Sequence, residues 1–131
     1  MKMKTSAFDT FAAMTCAALL AGCLTPRYTT LAEEFPKENA GDAMTLEAAS
    51  KIVRETLETI PSGRRPSHPG DRNLGRCTTS IRLRKHNRTD LVLVEVKMGK
   101  RVLMEFYVPT QSDGEKFAAA VWRLRREYHG K

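Results

Sequence analysis

The chain has 131 residues, a formal net charge of +7 and 41% hydrophobic residues. That length holds one small domain with a modest core, and three cysteines are too few for a disulfide framework. The charge is uneven: residues 24–60 carry four basic and seven acidic side chains, and residues 61–131 carry sixteen and seven. One expectation is an anionic partner for the basic part; another is that the two parts pair with each other.

In chain order, the first element is an N-terminal leader. Lys2 and Lys4 precede an apolar run from Phe11 to Leu20, which ends in Leu20-Ala21-Gly22-Cys23. A run of this kind inserts as a short helix of roughly 7–15 residues, too short for a stable span of about 20. The order resembles the type II signal peptide of bacterial lipoproteins, whose last four residues form the lipobox. Asp9, just before the apolar run, departs from that pattern. The resemblance covers residues 1–23 alone. It implies cleavage between Gly22 and Cys23, removal of residues 1–22, diacylglycerol on the Cys23 sulfur and an acyl chain on its new amino group. One chain binds a bilayer only marginally at about 0.8 kcal/mol per buried CH₂, so two or three are needed for a lasting anchor. The implied location is the bacterial cell envelope. Leu24, in the place where Asp retains lipoproteins in the inner membrane, points to the outer membrane, facing the periplasm. The mature chain would then carry 20 basic and 14 acidic side chains, a net charge of +6. Cys16 would leave with the leader, and Cys77 would be the remaining thiol, with burial on a strand expected.

Residues 23–44 read as the lipidated N-terminus and a tether. Pro26, Pro36 and Gly41 interrupt the segment, and Glu33, Glu34, Lys37 and Glu38 solvate it. Extended at about 3.3 Å per residue, it would hold the domain tens of ångströms from the bilayer. Alternatively, Tyr28 to Phe35 adds a short element to the domain. The domain proper is placed at residues 45–131. A first helix is expected from Thr45 to Thr59. Thr45 serves as N-cap, Glu47 sits in the first turn, and Leu46, Ala49, Val53, Leu57 and Ile60 form one apolar stripe. Pro61, Ser62 and Gly63 stop it. Residues 61–76 read as a long loop in which prolines and glycines alternate with Arg64, Arg65, Arg72 and Arg76. Such a loop is either functional, with arginines gripping phosphates or carboxylates, or simply solvated.

Three strands are expected next. Cys77, Thr79, Ile81 and Leu83 alternate with polar residues, and Leu91–Met98 and Arg101–Val108 follow. Matching the apolar faces of the last two predicts Val96 opposite Val102, Val94 opposite Met104 and Val92 opposite Phe106, around a loop of Met98-Gly99-Lys100. The other face, with Leu93, Glu95, Glu105 and Tyr107, is mixed and suits solvent or a partner. A last helix opens on a Ser112-Asp113-Gly114-Glu115 capping box. Phe117, Ala120, Val121, Leu124 and Tyr128 form its stripe, and Trp122 lies about 140° from Phe117 at 100° per residue. The expected fold is therefore α+β: helix, three-stranded antiparallel meander, C-terminal helix, with the helices on one sheet face.

No catalytic signature stands out. His68, His86 and His129 lack the close spacing of metal ligands, so no metal or cofactor is expected. A thiol site of Cys77 with His68 or His86 and Asp71 has no local signature to support it, so the chain reads as a non-enzyme. The sharper candidate is a basic surface. Arg82, Arg84, Lys85 and Arg88 surround the first hairpin, and Trp122, Arg123, Arg125 and Arg126 lie on the last helix. These residues suit anionic lipid, lipopolysaccharide or an acidic envelope protein, and equally an ordinary solvated face. With the lipoprotein reading no nucleic acid is expected. Without it, the same cations and a stacking Trp122 would suggest a cytoplasmic nucleic-acid binder.

Overall fold

The computed structural model describes residues 27–36 and 42–131. The leader and Cys23 lie outside the described residues. Four strands form one antiparallel sheet in the order β1-β2-β3-β4: β1 (Tyr28–Glu34), β2 (Ser80–His86), β3 (Val92–Met98) and β4 (Arg101–Val108). Three helices accompany it: α1 (Leu46–Glu58), α2 (Asp71–Cys77) and α3 (Gln111–Tyr128). The fold is α+β, as expected, with one strand and one helix more than the sequence pattern suggests.

The helices cover one face of the sheet. Ile81 and Leu83 of β2, Val94 and Val96 of β3, and Met104, Phe106 and Val108 of β4 form the sheet's half of the core. Ala49, Val53 and Leu57 of α1 and Phe117, Val121 and Leu124 of α3 supply the other half. Phe106 and Phe117 meet edge to face with ring centroids 4.9 Å apart, the arrangement that aromatic quadrupoles favour. Helix α3 is the hub: it packs on α1, on α2 and on the sheet.

Helix α1 forms as its periodicity predicts. Thr45 caps it by accepting a hydrogen bond from the Ala48 N–H at 3.0 Å. Its last carbonyls are met by Arg65, whose guanidinium donates to the Glu58 and Ile60 carbonyls.

Residues 61–76 are not one loop. A 3₁₀ turn at Ser62–Arg64 is followed by α2, which Gly70 opens. Seven residues are too few to display helical periodicity. Tertiary contact holds α2: Leu74 is fully buried, and Gly75 faces the α3 backbone so closely that a Cβ there would lie 2.5 Å from the Leu124 carbonyl oxygen. Cys77 accordingly ends α2, half-buried, and is not on a strand. Strand β2 starts at Ser80.

Of the two readings of the segment before α1, tether or short added element, residues 28–34 take the second and form the edge strand β1 paired with β2. A bulge at Leu31, between the Thr30–Arg84 and Ala32–Leu83 pairs, breaks the alternation and hides the strand from a period-two search. Between β3 and β4 the observed pairs are Val96–Met104, Val94–Phe106 and Val92–Val108, two residues from the expected register. The apolar faces still coincide. The extra residue sits in a bulge at Leu103 instead of in the loop, and the turn is the two-residue Gly99-Lys100. Gly99 has φ +62°, as the first central position of a II′ hairpin turn requires. Helix α3 is capped by Thr110, whose hydroxyl accepts from the Asp113 N–H at 3.1 Å, two residues earlier than the Ser112 box.

Candidate interaction surface

The face of the sheet opposite the helices carries the polar chemistry of the domain. Directly paired residues of an antiparallel sheet share a face. One row across it reads Glu33, Arg82, Glu95, Glu105, and the next reads Thr30, Arg84, Leu93, Tyr107. Glu95 is only 5% exposed although no helix covers it. Arg82 Nε donates to Glu95 Oε1 at 2.9 Å and Arg84 Nη1 donates to the same oxygen at 3.4 Å. Two cations around one buried carboxylate offset its desolvation and its like-charge neighbour Glu105. Arg84 also lies under the Tyr28 ring, 4.8 Å from its centroid, and the Tyr28 ring meets His86 edge-on.

Tyr28 and Tyr107 stand on the two edge strands and reach toward each other over this face. Their hydroxyls meet at 2.5 Å. This hydrogen bond, followed by burial, pushes the Tyr107 hydroxyl up from 10.0 to about 12. Beside the pair lies a groove of about 630 Å³, lined by Leu91, Leu93, Tyr107, Pro61, Arg64 and Glu105 among others. Its volume falls in the range of small-ligand sites. The sequence does not reveal it, because the pairing of Tyr28's strand with β2 and the turn that holds Pro61 and Arg64 arise only in the folded chain. The mixed face of β3 and β4 was the available signal.

The eight residues expected to form one basic surface are divided by the sheet. Arg82 and Arg84 lie on the outer face, held by Glu95. Lys85 Nζ donates to the Thr89 carbonyl at 3.2 Å, and Arg88 is exposed in the β2–β3 turn. The α3 residues lie in the helical layer, and each is bound to another part of the chain. Arg123 Nε donates to the Met44 carbonyl at 2.9 Å, Arg125 Nε donates to the Thr78 carbonyl at 3.1 Å, and Arg126 pairs with Asp42. These arginines tie the segments before α1 and after α2 onto α3. Trp122, which lies off the apolar stripe, is nevertheless only 5% exposed, and its Nε1–H donates to Glu34 Oε1 of β1 at 3.2 Å. A buried indole offers no face on which a base can stack, which removes that support from the nucleic-acid alternative.

The thiol arrangement is not assembled either. His68 Nε2 lies 3.1 Å from Asp71 Oδ1, and Ser50 of α1 hydrogen-bonds the other oxygen of the same carboxylate. His86 Nδ1 accepts from the Arg88 N–H. Asp71 thus joins α1 to the start of α2, with Asp between the Ser and the His, and neither histidine is bonded to Cys77. Among the described residues no group of three His, Cys, Asp or Glu side chains is arranged to hold a metal ion.

Comparison with family models, curated proteins and solved structures finds no match.

Proposed function

We propose that the chain is a lipid-anchored lipoprotein of the bacterial envelope, whose α+β domain is a non-enzymatic interaction module for an anionic envelope component. The observation that carries this reading is the order of Lys2 and Lys4, an apolar run, and Leu20-Ala21-Gly22-Cys23. Each part has a physical role. Positive charge retains the N-terminus on the cytoplasmic side, the short apolar helix enters the bilayer, and small residues let enzymes reach the sulfur. Among the described residues no helix is long and apolar enough to cross a membrane; in this reading the acyl chains on Cys23 hold the protein. Leu24 assigns it to the outer membrane, facing the periplasm. Exposed Arg88 of the β2–β3 turn, half-exposed Lys85 beside it and the groove on the outer sheet face are the surfaces offered to partners.

Metabolic labelling with radioactive palmitate in a Gram-negative host tests the reading. Label retained through denaturing electrophoresis, lost in Cys23→Ser, is expected. An unlabelled chain that keeps residues 1–22 rejects it.

A further inference from the structure

The course of β1 sets how far the domain stands from Cys23. The sheet begins at Tyr28, so only residues 24–27 separate the cysteine from the domain. Four residues, fully extended, reach at most about 14 Å. The tens of ångströms expected of a longer tether are not available.

The same strand determines which end of the domain is held there. Tyr28 pairs with His86 at the end of β2, the Asn87 N–H donates to the Arg27 carbonyl at 2.7 Å, and the Thr29 hydroxyl donates to Asn87 Oδ1 at 2.8 Å. The chain therefore enters beside the β2–β3 turn. Arg27, Lys85 and Arg88 gather at this end, with Asp90 as the acidic residue of the turn and exposed Leu91 beside it. Asp113 and Glu115 begin α3 on the helical side of the same end. The opposite end, at the Gly99-Lys100 turn, is also basic, with Lys97, Lys100 and Arg101. Charge alone does not choose between the two ends; the leash does. Seven-residue β2 is about 20 Å long. Turning the Gly99-Lys100 end onto the bilayer would lift Arg27 that far from the surface, beyond the reach of residues 24–27.

We propose that the domain rests on the bilayer by the β2–β3 turn, with Arg27, Lys85 and Arg88 against anionic phospholipid headgroups. The inference rests on lipidation of Cys23. Arginine and lysine at headgroup level are attracted by anionic lipid, and exposed Leu91 adds an apolar contact with the interface.

Photocrosslinking tests it on the full lipidated protein, reconstituted in vesicles of phosphatidylcholine and phosphatidylglycerol that carry a phospholipid with a photoreactive headgroup. Mass spectrometry of peptides should place label on residues 85–91 several-fold above residues 97–101. Label there should fall about fivefold for each cation removed in Lys85→Gln and Arg88→Gln, the worth of one charge beside an anionic leaflet. It should fall likewise in phosphatidylcholine alone, and Lys100→Gln should leave it unchanged. Equal label at both turns, excess label at Gly99-Lys100, or label indifferent to phosphatidylglycerol overturns the inference. The intact mass of the same sample separates the two failures. A lipidated Cys23 with any of those patterns rejects the orientation alone, and an unmodified Cys23 rejects the lipoprotein reading and the orientation with it.

Discussion

Tyr28 and Tyr107 belong to opposite edges of a four-stranded sheet, yet their hydroxyls touch at 2.5 Å over its outer face. The pair closes the face above Arg84 and Leu93, and it couples the first strand of the domain to the last. One of the two hydroxyls donates its proton to the other, so the contact depends on pH. Tyr107 has its pKa raised to about 12 against 10.0 for a free tyrosine. A raised pKa in the folded state means stability that is fully present below pH 10.0 and lost as pH climbs to about 12. Urea unfolding across that range should show stability falling less steeply in Tyr107→Phe than in the parent. Ultraviolet titration should show a tyrosine that ionises late in the parent and is missing in the variant.

Gly75 is where α2 meets α3 backbone to backbone. A Cβ would lie 2.5 Å from the Leu124 carbonyl oxygen and 2.7 Å from its carbon, and neither can rotate away. Gly75→Ala should destabilise the domain by about 1–3 kcal/mol, the usual cost of overpacking, despite the better helix propensity of alanine. The chemical-denaturation midpoint measures it. A midpoint equal to the parent's would mean that α2 docks less closely than described.

Glu95 holds two arginines, and its side chain is 7% exposed. Glu95→Ala leaves Arg82 and Arg84 facing each other with no shared acceptor. Loss of one member of a buried pair costs about 3–5 kcal/mol; both arginines are about a quarter exposed, so water recovers part of this and the expected loss is about 2–3 kcal/mol. Arg82→Ala leaves Arg84 on Glu95 and should cost less. Thermal unfolding of the two variants gives the comparison.

Trp122 is the single tryptophan of the chain, which makes its fluorescence a clean report on the α3–β1 contact. Burial predicts emission shifted to the blue and weak quenching by acrylamide. Added oligonucleotide should leave the signal unchanged, because the indole is covered and bonded to Glu34. Red-shifted, readily quenched emission in the folded protein would contradict that placement.

The legible parts of the fold were those where one apolar stripe meets one surface. Ala49, Val53 and Leu57 on α1, and Phe117, Val121 and Leu124 on α3, are buried as their spacing predicts. Trp122 and Ala118 escaped that logic because α3 is enclosed by the sheet on one side and by α1 and α2 on another, so its buried arc is wider than a stripe. The bulge at Leu31 leaves β1 without a clean period-two pattern, so Tyr28 to Phe35 was legible only as an alternative to a tether, and α2 was hidden by its brevity. The basic residues were visible in the sequence, but their use was not. Whether Arg123, Arg125 and Arg126 face solvent depends on the carbonyls of Met44 and Thr78 and on Asp42, which only the folded chain brings to α3. Arg27 gained significance through its place beside Asn87, sixty residues on.

In the proposed function the mature chain begins at an acylated Cys23. Intact mass spectrometry of the protein purified from the membranes of a Gram-negative host tests it most directly. The expected species is a polypeptide starting at Cys23 that carries a diacylglyceryl group and a further acyl chain. An unacylated chain that still begins at Met1 would contradict it.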